Sequence, residues 1–468
     1  MRIIKNVLFN GSVQVSGILI NLLLLPYLTR VLGEEALGTN SFGLSVTSYF
    51  TLVGNLGIVL YGAKSLAEQR DHPENLQKKF SQCITYQFFF NLLAISLYNI
   101  WVCFAQQITP IYFLFNIVLF TTMTDLSWVY TGFERFDLIA TRNILIKIIG
   151  TLLIFLFVKD TDDLPLYIII QQGVLLISNI IFWTNLSRIG LKIRFTGIRN
   201  SLRAIFKPAI FLFVPSIFTT IYLSLNNIML GYISGVNAVA VYDYPNKLAR
   251  ILITMISILG ITMMPRLAYL SKKKTQEEYL KKMTQMLYAS QIISIPVMFL
   301  LILTSHTLCL FVFGNGFNGS DRVLAIVAPT IVYSGLGLYN IFITQDKIRQ
   351  LTRGVICGTI VNILLNLLLI PRLSFEGAAY SALITETVVH LLLLFYLRKV
   401  LDIKDFIITF SSLFSIALFI FLILRFTFTV NNFFDMMTTG IIYLLSYLLL
   451  LFIFQRKRIR KLFLKPRS

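Results

Sequence analysis

The order of apolar and polar positions divides this chain of 468 residues into fourteen long hydrophobic runs separated by short polar segments. The runs cover 7–28, 40–62, 80–103, 111–132, 143–158, 166–186, 208–233, 240–264, 283–304, 323–344, 354–370, 378–397, 407–424 and 436–454. A helix of about 20 apolar residues spans the hydrocarbon core of a bilayer. Barrel strands would instead alternate every second residue over about 10 positions. The pattern predicts an all-α integral membrane protein with about 14 transmembrane helices.

Charge then orients the runs. Of the 41 Lys and Arg residues, 34 fall in every second gap. These gaps are the N-terminus, the segments around 64–79, 135–147, 188–207, 266–282, 347–353 and 398–404, and the tail from Arg456. The alternate gaps hold only Arg30, Lys159, Arg322, Arg372 and Arg425, while Lys247 and Arg250 lie inside a run. Cationic loops stay in the cytoplasm, so both termini are expected there. The formal net charge of +20 follows from this topology. It favours anionic membrane lipid and calls for no nucleic acid.

Composition agrees: 56% of residues are hydrophobic and 13% charged, against about 25% charged in soluble domains. The basic start at 1–6 leads into a run too long for a signal-peptide core, so the first span is expected to remain. The four cysteines, Cys83, Cys103, Cys309 and Cys357, are far apart and are expected to be free, packed thiols. The three histidines form no ligand cluster, so no metal and no cofactor is expected. No connecting segment exceeds about 20 residues, which leaves no room for a soluble catalytic domain. A G-x-x-x-x-G-K-[ST] loop for nucleotide phosphates is also missing.

The polar segment 187–207 splits the first twelve runs into six and six. The expected organisation is an N-terminal lobe (1–200), a C-terminal lobe (201–400), two extra helices (401–454) and a basic cytoplasmic tail (455–468). A faint internal echo supports it. Tyr27-Leu-Thr-Arg-Val-Leu-Gly33 closes the first run, and Asn227-Ile-Met-Leu-Gly231 with Ser234-Gly235 closes the seventh. Repeated halves are common in transporters, with the substrate site between them.

Charge inside an apolar run costs about 2.5–3.5 kcal/mol on insertion scales and is usually paired, cavity-facing or functional. Asp243, Lys247 and Arg250 stand at i, i+4 and i+7 and share one helical face. Pro245 between them would kink the helix. Asp243 and Lys247 either neutralise each other, or Lys247 joins Arg250 in binding an anion, for which a guanidinium suits phosphate or carboxylate. Asp125 in the fourth run is either an ion-pair partner of a neighbouring helix or a coupling group. Glu386 and His390, four apart in the twelfth run, share a face, and Glu386 is a proton or cation site or a buried structural acid. Amides recur in the runs (Asn10, Gln14, Asn21, Asn91, Gln171, Gln172, Asn226, Asn227, Asn362, Asn366). They serve interhelical hydrogen bonds worth about 1 kcal/mol or line a polar cavity.

Several spaced motifs resemble one family. These are Arg30-Val-Leu-Gly33 with Gly38, Asp125-x-x-Trp128-x-x-x-Gly132-x-Glu134, Met229-Leu-Gly231-Tyr-x-Ser-Gly235, and Tyr242 with Lys247. Phe313-Gly-x-Gly316-Phe, Asn362-x-x-x-Asn366-x-x-x-Ile370-Pro371, Glu376-Gly-Ala-Ala379 and Glu386 follow in order. Together they resemble the polysaccharide-transport (Wzx-type) flippases of the multidrug/oligosaccharidyl-lipid/polysaccharide exporter superfamily. The resemblance implies two six-helix bundles in a V around a central cavity, plus two C-terminal helices. It implies that undecaprenyl-diphosphate-linked oligosaccharide (capsule, teichoic acid or a related surface polymer) moves from the inner to the outer leaflet of the bacterial cytoplasmic membrane by alternating access. Membrane lipids and a polysaccharide polymerase machinery are the implied partners. Family members usually carry an acid where Asn226 stands, and here the pair is Asn226-Asn227.

A diphosphate headgroup needs cations, and Lys247, Arg250 and Arg30 are the candidates. Asp125, Asp243 and Glu386 are the candidate coupling or charge-pair acids, and Asn226 and Asn227 candidate cavity amides. With the inside negative by about 100 mV, each exported negative charge gains about 2.3 kcal/mol, so potential and cation exchange are the expected drives. A multidrug/cation antiporter of the same superfamily would favour an acidic cavity. A peptidoglycan-precursor flippase would carry a basic first span, whereas 7–28 holds no charge. A membrane polymerase or transferase would want a long external loop, yet the outer acids Asp160-Thr-Asp162-Asp163 sit in a short one.

Overall fold

The computed structural model of the chain describes residues 22–104, 110–272, 276–398 and 400–463, with Gly17 and Ile20. Most of the first expected run, with Asn10, Gln14 and Asn21, lies outside the described residues, as does the end of the basic tail. Every described element is helical, and no strand occurs among the described residues.

Among the described residues, ten helices are long and apolar enough to cross a membrane, or eleven when Ser320–Val327 and Thr330–Thr344, bent by 42°, count as one broken span. This count does not reach fourteen. Of the first run, the described part is the short helix Leu22–Val31 together with Gly17 and Ile20. The 37-residue helix Ile198–Ser234 carries the run 208–233 and stands outside those ten. Helix Ile348–Leu397 holds two runs in one element of 50 residues. At about 1.5 Å per residue it would measure about 75 Å if straight, over twice a bilayer core. It is instead broken at Ser374 (φ 49°, ψ −126°). Arg372, expected in an outer loop, therefore stands inside a helical element.

Several cations expected in cytoplasmic segments are also helical. Arg142 and Lys147 lie in Phe136–Phe157; Arg199, Arg203 and Lys207 lie in Ile198–Ser234. Arg266 and Lys272 end Val236–Lys272. Backbone hydrogen bonding has no reason to stop where the apolar stretch stops, so a 37-residue helix extends well past a core that needs about 20.

The faces of Phe136–Phe157 show how such a sequence packs. Leu145, Ile148, Ile149, Leu152 and Leu156 are exposed at spacings of three and four, forming an apolar stripe suited to lipid. Arg142, Ile146, Gly150 and Ile154, each four apart, form the buried face. Both faces are apolar apart from one arginine, so the polar side of a soluble helix is missing.

The chain divides into two compact units, Met1–Ile228 and Met229–Ser468. In the first, Phe80, Ile84, Tyr86, Trp128, Tyr130 and Phe182 centre a hydrophobic core. In the second, Leu267, Met283, Leu338, Phe342, Leu393 and Leu397 do so. The turns behind the internal echo both carry a glycine at positive φ: Gly33 (φ 73°) opens helix Gly33–Asn55, and Gly235 (φ 87°) separates Ser234 from Val236. A side chain at such angles would clash with the next carbonyl.

Candidate functional site

In the first unit the expected span 111–132 is interrupted. Helix Asn116–Thr124 ends at Asp125, whose backbone is extended (φ −73°, ψ 119°), and helix Ser127–Gly132 resumes after Leu126. The Asp125 carboxylate receives the Ser127 amide (3.0 Å) and the Ser127 hydroxyl (2.8 Å), capping the second piece. Gln87 supplies the freed carbonyls: its amide donates to the backbone oxygens of Thr122, Met123 and Asp125 (3.3, 3.0 and 2.9 Å). Its oxygen accepts from the Trp128 indole at 2.8 Å. Exposed backbone is thus satisfied inside protein, as a membrane requires.

Arg142 completes this network, a role its place among expected cytoplasmic cations did not indicate. It is 8% exposed and lies 3.7 Å from Asp125. It donates to the Ser178 hydroxyl (3.0 Å) and the Asn179 carbonyl oxygen (2.5 Å), and sits over the Phe182 ring at 4.4 Å. Asn179 in turn donates to the Thr121 carbonyl and the Thr124 hydroxyl, each at 2.9 Å. Asp125 is therefore an ion-pair acid, with its other contacts local. The motif ends at the same helix: Arg70 donates to the Gly132 carbonyl (2.6 Å) and lies 3.8 Å from Glu134. A Cβ on Gly132 would come within 2.8 Å of the Ala63 carbonyl oxygen.

The amide pair closes the first unit. Asn226 and Asn227 are buried, and Asn227 donates to the Ser45 hydroxyl at 3.0 Å. Ser48 and Ser224 hydroxyls meet at 2.9 Å a turn away. Helix Ile198–Ser234 is thereby tied by polar contacts to Gly33–Asn55. Arg30 is exposed at the end of Leu22–Val31.

In the second unit Lys247 meets the buried Asp243 at 2.6 Å. The ammonium also lies 4.3 Å from the centre of the Tyr244 ring, which packs against Phe313 and Phe317 of the glycine-bearing motif. The lysine is thus held by an acid and an aromatic face, yet stays 40% exposed. Arg250 is exposed one turn further and forms no salt bridge among the described residues. The three side chains leave a net charge of +1 on one face of a membrane-length helix. That arrangement can hold an anion: a lysine already oriented, and a guanidinium with its donors open to solvent.

The remaining motifs are tied together elsewhere in this unit. Glu376 pairs with Arg322 (2.5 Å) and His306 with Asp321 (3.0 Å). Asn366 donates to Asn362 (3.1 Å), which donates to Thr385 (3.4 Å). Glu386 lies 3.2 Å from His390 on the next turn. The predicted acids thus fall into three separate pairs, Asp125 with Arg142, Asp243 with Lys247 and Glu386 with His390. Among the described residues no cluster of His, Cys, Asp and Glu is arranged to hold a metal ion, and all four cysteines are free.

Residues 3–271 match the family model described as polysaccharide biosynthesis protein. A protein named as an O-antigen transporter in Escherichia coli (strain K12) is 23% identical over 408 residues, covering 84% of this chain and 96% of its own length. Among solved structures, the lipid II flippase MurJ in an inward closed conformation superposes with a TM-score of 0.68 at 17% identity, covering 98% of this chain and 100% of that one. An inward-facing multidrug resistance MATE family transporter of the MOP superfamily gives 0.60 at 14% identity, with 81% and 94% covered. These two likenesses establish the fold.

Proposed function

Because the chain belongs to the polysaccharide biosynthesis protein family, we propose that this multi-pass membrane protein is a flippase for lipid-linked oligosaccharide. Its cargo is a surface-polymer repeat unit on undecaprenyl diphosphate, carried to the outer leaflet of the bacterial cytoplasmic membrane. Both termini lie on the cytoplasmic side. The name of the Escherichia coli relative, an O-antigen transporter, points to the same class of cargo.

The observation that carries this reading is the Asp243–Lys247–Arg250 face. A cationic surface inside a membrane-length helix is expensive unless something anionic uses it. Lys247 and Arg250 would receive the diphosphate, while the polyprenyl tail stays in lipid. Export of a doubly negative headgroup gains about 5 kcal/mol from a potential of about 100 mV, which supplies a drive for alternating access.

The site is tested by native mass spectrometry of the purified protein with added undecaprenyl diphosphate. Arg250→Ala is expected to weaken retention about tenfold, the loss of a charge-assisted contact of about 1.5 kcal/mol. Equal retention by wild type, Lys247→Ala and Arg250→Ala would remove this face from the binding site. A cation antiporter, the nearest rival, would instead need an acidic binding surface.

A further inference from the structure

The polar segment that follows the sixth expected run carries charge of one sign. Arg188, Lys192, Arg194, Arg199, Arg203 and Lys207 fall there, and the nearest acids in sequence are Asp163 and Asp243. Elsewhere in the first unit basic residues meet acids: Lys64 pairs with Glu68, Arg70 with Glu134 and Arg135 with Asp137. Lys192, Arg194, Arg199, Arg203 and Lys207 are exposed. None of these five forms an ion pair or cation–π contact among the described residues.

Apolar side chains stand between these cations. Ile193, Phe195, Ile198, Phe206 and Phe211 are 42–69% exposed. In helix Ile198–Ser234 the exposed positions 199, 203, 207 and 211 are four apart and share one stripe. The stripe passes from Arg199, Arg203 and Lys207 to Phe211, which lines a cleft of about 200 Å³ with Pro208, Tyr61 and the Lys64–Glu68 pair. Successive positions climb about 6 Å, close to the depth of one headgroup layer, about 5–7 Å. The opposite side of the helix, with Ser201, Ile205 and Ala209, is buried.

Neutral contacts fix this segment to the first unit. The Gln77 side chain donates to the Lys192 carbonyl (2.6 Å) and accepts from the Lys192 amide (2.9 Å). The Thr196 amide donates to the Thr85 hydroxyl (2.9 Å), and Phe195 packs edge-on against Phe88. Ile205 and Ala209 join the hydrophobic core. The cations are therefore presented from a set backbone, which a ligand would not have to order.

We propose that this surface binds anionic phospholipid headgroups. Arg199, Arg203 and Lys207 hold the phosphates, with Lys192 and Arg194 beside them and the exposed Ile and Phe side chains at the acyl boundary. Basic side chains interleaved with apolar ones suit the layer where phosphate meets hydrocarbon. A soluble anion would leave those five apolar side chains in water. Five cations spread over two helical turns and the preceding coil also exceed the charge of one diphosphate, so the surface matches several monoanionic lipids rather than a single carrier headgroup. That these lipids belong to the cytoplasmic leaflet rests on the topology proposed above; headgroup binding does not.

Native mass spectrometry of the full chain, with added phosphatidylglycerol or phosphatidylcholine of the same acyl chains, tests the surface. Each cation at an anionic surface is worth about fivefold in binding. Wild type should retain phosphatidylglycerol in preference. Arg199→Gln/Arg203→Gln/Lys207→Gln should lower that retention by tenfold or more and leave phosphatidylcholine unchanged. Lys192→Gln/Arg194→Gln should lower it in the same direction, which serves if the triple variant does not fold. Lys347→Gln/Arg349→Gln/Arg353→Gln removes three cations from another basic segment and should keep wild-type retention. Equal losses in the two triple variants, or no loss from either change in this segment, would overturn the site. Displacement of the lipid by glycerol 1-phosphate would reassign the surface to soluble phosphate, and displacement by undecaprenyl diphosphate at equal concentration would reassign it to the cargo carrier. Either would overturn the phospholipid assignment. Absence of any cargo movement, with phosphatidylglycerol retention intact, would count against the flippase function and leave the lipid surface standing.

Discussion

Arg142 shows what one residue contributes when charge is buried in this fold. Its guanidinium is held by Asp125, Ser178, Asn179 and the Phe182 ring, and it secures the helix break at Asp125. Arg142→Ala would leave those acceptors facing a void. Removing one partner of a buried pair costs about 3–5 kcal/mol, and the 35% exposure of Asp125 brings the expected loss to about 2 kcal/mol. A markedly lower unfolding midpoint in detergent is the expected result. Asp125→Asn should cost less, since the Ser127 contacts survive. Sequence identified Asp125 as either paired or functional but could not name its partner. Arg142 lies 17 residues on, and in a list of cations it counts like any other in its segment. The pairs at i and i+4, Asp243–Lys247 and Glu386–His390, were legible because helical geometry alone brings them together.

At the scale of elements, the runs located the helices, while their ends and breaks depended on tertiary contacts. Helices run past the apolar stretches because cationic residues continue the backbone ladder, as in Val236–Lys272. The break at Asp125 carries no proline or glycine, so local composition did not announce it, whereas the break at Ser374 falls in the expected gap between the runs 354–370 and 378–397, close to Pro371. The break at Asp125 exists because Gln87 pays its hydrogen bonds from another helix. Gln87→Leu should therefore destabilise the unit by about 2 kcal/mol through unsatisfied carbonyls, read as a lower midpoint in thermal unfolding. Glycines were better signals. Gly235 sits at φ 87° with nothing within 4 Å of a built Cβ, so strain is its only penalty. Gly235→Ala is expected to cost about 1–2 kcal/mol, while Gly150→Ala, in open space at the centre of a helix, should stabilise by about 0.5–1 kcal/mol.

At the scale of the molecule, topology follows from the distribution of cations. In a variant without its native cysteines, a thiol placed at Thr161 should react with a membrane-impermeant reagent added outside intact cells. One at Ser187 should react only after permeabilisation. The reverse result would invert the orientation. All-helical membrane architecture was legible because the bilayer imposes both length and hydrophobicity on each span. The number of crossings was less so, since two runs can meet at a kink with little loop between them, as at Ser374 within Ile348–Leu397. Which oligosaccharide is carried is not written in these residues, because the proposed contact of Lys247 and Arg250 with a diphosphate would be common to every cargo on the same carrier. Depletion of the protein in its native host, followed by mass spectrometry of extracted lipids, tests the central claim most directly. Accumulation of one undecaprenyl-diphosphate oligosaccharide, confined to the inner leaflet, is the predicted result and would identify the cargo. Unchanged lipid-linked sugars together with increased sensitivity to cationic drugs would contradict it.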